Sequence, residues 1–374
     1  MSKVTLLVLC AGNSTRFGLN CKKQWLRVGD IPLWLFVAKK ITSYYNFDKV
    51  VITASKDELS YMQNFSDEYD FVLGGETRQE SMTNALKSID SDYVMVTDVA
   101  RTCVPKEVIL NLISNKEKAS CIVPVLNVSD TVIFKDETIN RDEVRLIQTP
   151  QLSNTKILKK ALDTDTFFTD DSSAIKNIDE PIFYVKGSIE SNKLTFQEDL
   201  KSNPCLEGPS NNFFTGFGID THAFEKNKQM ILGGIQIDSD IGFKAHSDGD
   251  VLIHSVIDAL LGAIGAGDIG DFFPDTDNTY KNIDSKILLE KIVNFVYNVG
   301  YEIINVDFTI LAQKPKINPY KSQIKKSMAQ LLNVNMQYVN VKATTSEELG
   351  FVGRSEGVTV HSVATLKYFD WKNK

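Results

Sequence analysis

The chain opens with Val4-Thr5-Leu6-Leu7-Val8-Leu9-Cys10-Ala11-Gly12-Asn13-Ser14-Thr15-Arg16-Phe17-Gly18, an almost unbroken apolar run followed by a small, polar, glycine-containing loop. Such a run reads as a strand buried on both faces of a parallel sheet. Shorter runs recur at Val50–Ala54, Asp70–Leu73, Asp92–Thr97 and Ser120–Val125. Between them lie segments of helical spacing at Pro32–Ser43, Thr77–Ile89 and Pro105–Ser114. Strands alternating with helices predict an α/β, Rossmann-like domain with a mostly parallel sheet, and ligands at the carboxyl ends of its strands. Thr131–Ile147 reads as an inserted hairpin arm and Pro181–Lys186 as a later strand.

The 374 residues exceed what one such domain needs, and 43% hydrophobic with 24% charged residues is a globular composition. The net charge of -7 argues against a nucleic-acid binder. No segment approaches the apolar length of a spanning helix, so no membrane partner is expected. All 5 cysteines (Cys10, Cys21, Cys103, Cys121, Cys205) precede residue 206 and all 4 histidines follow residue 221, so the two halves differ in chemistry. The cysteines are odd in number and lack a C-x-x-C pair, which reads as neither a disulfide framework nor a zinc knuckle and predicts a reducing, cytoplasmic setting. The turn-forming stretch Ser202–Asn212 is the linker candidate. The expected organisation is a domain over 1–205, a linker over 206–212 and a second domain over 213–374.

In the first half, Ala11, Gly12 and their neighbours leave backbone amides free to close round a polyphosphate, with Arg16 and Lys23 adding charge. One cation about 4 Å from an anion gains about 4 kcal/mol at an effective dielectric near 20, so two on one polyphosphate position it strongly. Gly74-Gly75-Glu76-Thr77-Arg78-Gln79-Glu80-Ser81 falls at a strand-to-helix junction, where amides, Arg78 and a hydroxyl can read a nucleoside. Asp98 ends an apolar strand, where a carboxylate can hold Mg²⁺ against phosphates; the plainer role for it is a helix N-cap.

These stretches, with Thr97–Arg101, Gln148–Gln151 and Lys193–Leu200, resemble the 2-C-methyl-D-erythritol 4-phosphate cytidylyltransferase family over roughly residues 1–205. The resemblance implies transfer of CMP from CTP to the sugar-alcohol phosphate with release of pyrophosphate. It places Arg16 and Lys23 on the α-phosphorus, Ser81 with Gly74 and Gly75 on cytidine, and Mg²⁺ on Asp98. Arg141 and Lys193, with Thr149 nearby, would place the attacking phosphate. The family usually has His-Asp-Ala-Ala-Arg-Pro where this chain has Thr97-Asp98-Val99-Ala100-Arg101-Thr102; Asp98 and Arg101 are kept.

After the linker the pattern is a strand (Phe213–Ile219), a glycine-rich hairpin (Met230–Ile237), helices at Asp250–Gly265, Asp284–Val299 and Pro319–Leu332, and strands at Tyr301–Leu311, Val339–Lys342 and Gly357–Leu366. That order suggests a compact α+β domain. Asp220 and His222 are two apart on a strand and so share a face. Asp250, His254 and Asp258 share a helical face. One Asp and two His would leave a tetrahedral metal one open position, the catalytic kind of zinc site. Spacing leaves open whether His246 or His254 is the third ligand. His361, in its strand, reads as structural. Gly267-Asp268-Ile269-Gly270 and Phe273-Pro274-Asp275-Thr276-Asp277 suit sugar hydroxyls or turns, and Thr344-Thr345-Ser346-Glu347 with Arg354 suits phosphate oxygens and a second cation.

Residues from Phe214 to Tyr368 resemble the 2-C-methyl-D-erythritol 2,4-cyclodiphosphate synthase family through Asp-x-His, Ala-His-Ser-Asp-Gly-Asp, Gly-Asp-Ile-Gly, Phe-Pro-Asp-Thr-Asp and Lys-Ala-Thr-Thr. The resemblance implies Zn²⁺ on Asp220, His222 and His254, with His246 and Thr345 at the reacting phosphates, Ser247 as a substrate contact and Mg²⁺ or Mn²⁺ on Glu347. Substrate contacts would come from Asp258, Asp268, Ile269, Gly270, Phe273, Pro274, Asp275, Thr276 and Asp277. Cytidine would lie against Ala312, Gln313, Lys314, Pro315, Lys316, Ile317 and Asn318, with Phe351 and Arg354. The family is trimeric with sites between subunits, which implies a homotrimer, or a hexamer if the first domains also pair.

The two reactions are not consecutive, and the chain has no Walker G-x-x-x-x-G-K-[ST], so the intervening phosphorylation is expected to need a separate kinase. A nucleotidyltransferase fused to a metal-dependent phosphohydrolase would also explain the glycine loop and the metal ligands, but not two nucleotide pockets. A nucleotide sensor with a structural metal would need four protein ligands.

Overall fold

Val4–Leu9 is buried at every position in the computed structural model, which describes residues 2–245, 247–274, 276–280 and 283–373. This strand lies between two parallel neighbours, Lys49–Ala54 and Tyr93–Asp98, which shield both its edges. The sheet runs Arg145–Ile147, Cys121–Asn127, Gln151–Asn154, Tyr93–Asp98, Val4–Leu9, Lys49–Ala54, Asp70–Leu73, with Ile182–Lys186 added in parallel to Cys121–Asn127. The register sets Leu9 beside Asp98 on one side and Thr53 on the other. The loop after Leu9 therefore starts level with the Asp98 carboxylate. Arg78–Leu86 starts from a capping box, in which Thr77 Oγ1 accepts from the Glu80 amide and Glu80 accepts from the Thr77 amide.

Gly74 shows why a side chain is excluded here. A Cβ on it would lie 2.3 Å from Ala11 Cβ and 3.4 Å from the Ala54 carbonyl. The absence of a side chain lets the strand end close against the first loop. The expected arm proves shorter than Thr131–Ile147. Its hairpin is Val132–Phe134 with Glu137–Ile139, turning through Lys135 and Asp136 at φ 52° and 65°. Arg145–Ile147 instead rejoins the main sheet. Helices at Leu59–Gln63, Thr155–Ala161 and Asp171–Asn177, too short for clear periodicity, also belong to this unit.

Cys103 and Cys205 form a disulfide, with Cα atoms 5.7 Å apart, whereas Cys10, Cys21 and Cys121 are buried and not disulfide-bonded. This corrects the reading of all the cysteines as unpaired. The partners are 102 residues apart, so only the tertiary fold brings them together. Beside the bond the Leu194 amide donates to the Ala100 carbonyl at 2.9 Å and Thr102 Oγ1 to Asn203 Oδ1 at 3.0 Å.

Two compact units divide the chain, one reaching Ser210 and including the tail from Asp370, the other Asn211–Phe369. Within the first, the Gly29 and Ser210 amides bond to the Gly208 and Gly29 carbonyls, and Trp371 Nε1 donates to the Arg27 carbonyl at 2.7 Å.

The second unit is a five-stranded sheet in the order Ile241–Phe243, Phe213–Lys226, Gly357–Tyr368, Tyr301–Leu311, Val339–Thr344. The first long strand runs past the expected Ile219 to Lys226, because Gly357–Tyr368 pairs with it continuously from Phe213 to Ala223. The helix Val251–Ile264 packs on it. Asp250 caps its start, and Gly265 at φ 69° ends it. The contact is close. A Cβ on Gly216 would lie 2.0 Å from the Ala259 carbonyl, and one on Gly218 2.0 Å from that of Ser255. Among the described residues no helix is long and apolar enough to cross a membrane.

Gly218→Ala puts a methyl group into helix backbone that no side-chain rotation relieves. It should destabilise the second unit by about 2 kcal/mol or more. In urea unfolding of the full chain, the transition of this unit should move to lower urea and that of the first unit stay in place. An unchanged profile would mean the contact is looser than described.

Candidate active sites

A cavity of about 530 Å³ opens at the carboxyl ends of the first sheet, lined by Ala11, Gly12, Arg16, Lys23, Gly74, Gly75, Arg78, Ser81, Asp98 and Lys193, among others. Its loop is held from below. Ser14, in the left-handed region at φ 55°, accepts the Lys23 amide at 3.0 Å, and the buried Gln24 amide group donates to the Gly12 carbonyl and to Glu58, both at 3.1 Å. Lys22 pairs with the same Glu58 at 2.6 Å. Sequence reasoning missed Gln24 and Glu58, whose role emerges only from the folded loop.

Charge in this cavity is already matched. Asp98 accepts from Lys193 Nζ at 2.6 Å and from Arg78 Nε at 3.0 Å. Burial alone would raise the Asp98 carboxyl, but Arg78 and Lys193 outweigh it and hold the group well below the usual carboxylate range. Lys23 Nζ donates to the Leu194 carbonyl at 2.7 Å. Burial first, then Lys193 and Arg16, lower its pKa from 10.5 to about 8. Ser81 Oγ accepts the Gly75 amide at 3.0 Å and donates to the Thr77 carbonyl at 2.9 Å, so it shapes the glycine turn.

Three expected residues lie elsewhere. Arg141 is exposed after the arm and donates to the Ser129 carbonyl at 2.5 Å; among the described residues it does not line the cavity. Thr149 is buried before the cis Pro150. Arg101 donates to the Ser191 carbonyl at 2.7 Å, bracing the segment that carries Lys193.

A second cavity, about 690 Å³, is lined by Asp220, His222, Ser247, His254, Asp258, Ile269, Gly270, Phe273, Pro274 and Asp277, among others. Asp220, His222 and His254 converge, their ligand atoms within 4.8 Å of one another. Asp220 Oδ2 is 3.3 Å from His222 Nε2 and 3.2 Å from His254 Nδ1. His222 Nδ1 lies 3.0 Å from the Gly249 carbonyl, which favours a proton there and leaves Nε2 as the ligand atom. Ser247 and Ser285 hydroxyls flank His254 Nε2 at 3.2 and 3.1 Å. The donor set and this bracing fit a metal ion with an open coordination position.

Asp250, on the same helical face by spacing, is no ligand. It is fully buried and accepts the Gly233 and Gly234 amides at 2.9 and 2.6 Å, as well as those of Leu252 and Ile253. Asp258 accepts the Ile269 amide at 2.9 Å, which sets the turn where Asp268 caps Ile269–Phe272. Thr276 is exposed. His246 and Asp275 lie outside the described residues.

A separate group forms where two parallel strands end. The Ala312 amide bonds to the Thr344 carbonyl at 3.0 Å, joining Ala312–Asn318 to Thr344–Glu347. Thr345 Oγ1 donates to Glu347 at 2.7 Å, Ser346 Oγ to the Leu349 carbonyl, and Arg354 is paired with Glu356 beside the exposed Phe351. Among the described residues, none of this group lines the cavity round Asp220.

Residues 4–205 match the model of the 2-C-methyl-D-erythritol 4-phosphate cytidylyltransferase family, and residues 213–367 that of the YgbB family. The bifunctional enzyme IspD/IspF of Aliarcobacter butzleri is 64% identical over 374 residues, covering 100% of both chains. That of Sulfurovum sp. is 53% identical, again over 100% of both. The solved structure of the bifunctional IspDF from Campylobacter jejuni is 49% identical, with a TM-score of 0.88 over 99% of this chain and 100% of that one.

The lowered Lys23 pKa has a definite sign. The ammonium is charged below about pH 8 and loses its proton as pH rises through that value. CTP affinity at the first cavity, titrated calorimetrically in Mg²⁺, should therefore fall above about pH 8, and Lys23→Arg should flatten the fall. Equal pH dependence in both proteins would exclude Lys23 as the titrating group.

Proposed function

The chain belongs to the family of bifunctional IspD/IspF enzymes, and from that premise we propose how its own residues divide the work. The first unit is the cytidylyltransferase and the second the cyclodiphosphate synthase of the methylerythritol phosphate route to isoprenoids. The enzymes of this family use divalent metals. Convergence of Asp220, His222 and His254 in one cavity is the observation that carries the residue assignment.

In the transferase, a phosphate oxygen of methylerythritol phosphate attacks the α-phosphorus of CTP; the bond to the β-phosphate oxygen breaks and pyrophosphate leaves. Arg16 and Lys23 take the charge that grows on the α-phosphoryl oxygens. Gly74, Gly75 and Ser81 form the turn against which cytidine rests. Lys193 places the attacking phosphate, and Arg101 braces the Lys193 segment. No covalent protein intermediate is required.

In the synthase, the 2-phosphate oxygen of the substrate attacks the β-phosphorus and CMP leaves as the ring closes. His246 and Thr345 steady the reacting phosphates, and Ser247, beside His254, contacts substrate. Asp258, through its bond to the Ile269 amide, sets the turn whose Ile269 and Gly270 line the sugar side of the cavity. Ala312–Asn318, with Phe351 and Arg354, receives cytidine. Divalent ions, which we assign as Mg²⁺ at Asp98, Zn²⁺ at Asp220, His222 and His254, and Mg²⁺ or Mn²⁺ at Glu347, supply charge neutralisation when bound.

The separation of the Ala312–Asn318 group from the Asp220 cavity supports sites completed between copies of the chain. Phe213, Phe217 and Ile219 are 67%, 58% and 51% exposed along one face of their strand, an apolar stripe that copies of this unit would cover. We assign a trimer, or a hexamer if the arms also pair. Light scattering should give at least three chains per particle and a smaller particle for Phe217→Asp; a monomeric wild type would refute the assembly. We keep the cytoplasmic reading, in which Cys103–Cys205 is the bond that a reducing compartment would tend to open.

Incubation with CTP, methylerythritol phosphate and Mg²⁺ should release pyrophosphate at once, and CMP only after a separate kinase and ATP are added. His254→Ala should abolish CMP release and metal retention while leaving pyrophosphate release within about twofold of wild type. Loss of both products together would mean that the two sites are not independent, or that the variant misfolds.

A further inference from the structure

Asp171 belongs to none of the motifs above, yet it is fully buried and its Oδ1 accepts from Arg78 Nη1 at 2.9 Å. Arg78 Nε meets Asp98 Oδ1 at 3.0 Å, so one guanidinium spans two carboxylates from distant parts of the chain. Asp170 is committed elsewhere. It accepts from the Ser172 and Ser173 hydroxyls and, at 2.9 Å, from the Gln151 amide group. Arg78 Nη2 and Asp171 Oδ2 are buried without hydrogen-bond partners, so the pair is held by a single contact at each carboxylate.

We propose that Asp171 is a positioning residue of the transferase site, anchoring Arg78 from behind so that Arg78 holds the Asp98 carboxylate towards the cavity. The inference rests on the transferase reading. Two cations, Arg78 and Lys193, face two carboxylates, Asp98 and Asp171. A divalent cation arriving at Asp98 has to displace a positive neighbour. Lys193 can leave, because its side chain is 38% exposed and the attacking phosphate gives it a new partner. Arg78 stays, because it is 19% exposed and tied to Asp171. Asp171 thus cancels the Arg78 charge behind the cation site. Without it, Arg78 keeps an uncompensated charge beside the arriving ion and loses the contact that fixes its plane.

The test uses the full chain with Asp171→Asn, Arg78→Met and the double variant. Pyrophosphate release is measured against Mg²⁺ concentration, and Mn²⁺ binding with CTP by water-proton relaxation. Asp171→Asn should raise the half-saturating Mg²⁺ concentration and lower kcat, each by roughly tenfold, the range for residues behind a metal ligand. The KM for methylerythritol phosphate should move much less. The double variant leaves no buried unpaired charge, so it folds even where Asp171→Asn alone does not. Because Asp171 acts through Arg78, the double variant should be no worse than Arg78→Met. Unchanged half-saturating Mg²⁺ and Mn²⁺ binding in Asp171→Asn, or additive losses in the double variant, would overturn the proposal. Failure of the transferase reading itself is distinguishable, since the wild type would then release no pyrophosphate.

Discussion

The close approach of the Val251–Ile264 helix to the Phe213–Lys226 strand is the constraint on which the metal cavity depends. It exists because Gly216 and Gly218 lack the Cβ atoms that would strike helix backbone. Asp220 and His222 follow on the same strand, and His254 sits one helical turn past the Asp250 cap. Separation of the two elements by even a methyl group would pull His254 Nδ1 away from the carboxylate that it now meets at 3.2 Å. Gly74 plays the corresponding part in the first unit, letting a strand end close on Ala11 so that both loops face one cavity. In each unit a missing side chain sets the distance between the groups that do chemistry.

The two cavities handle phosphate charge in different ways. The transferase matches its cations internally, with Lys193 and Arg78 on Asp98 and Arg78 also on Asp171, so substrate exchanges partners instead of meeting bare charge. Burial there leaves Lys23 with a weakened hold on its proton. The second cavity instead gathers three donor atoms that fit a metal ion, with the neighbouring Gly249 carbonyl favouring a proton on His222 Nδ1. Both arrangements are local, which is how a chain of net charge -7 can act on polyanionic substrates.

Much of this was legible in the sequence because short-range periodicity carried it. The apolar run at Val4–Leu9, the period-two pair Asp220 and His222, and the helical placement of His254 each follow from local rules. Asp250 shows the limit of such rules: it shares the face of His254, yet cap geometry turns its carboxylate to backbone amides. Cys103–Cys205 and Arg78–Asp171 join residues 102 and 93 positions apart, and no spacing signals such pairs.

The central claim is that one strand and one helix, brought together by glycines, build a three-ligand metal site with an open position. Anomalous diffraction at the zinc edge from crystals of the full chain tests it most directly. The account predicts one peak bonded to an Asp220 oxygen, His222 Nε2 and His254 Nδ1, at about 2.0–2.2 Å, with a non-protein fourth ligand. A peak bonded to His246 in place of His254, or closed by a fourth protein side chain, would contradict it.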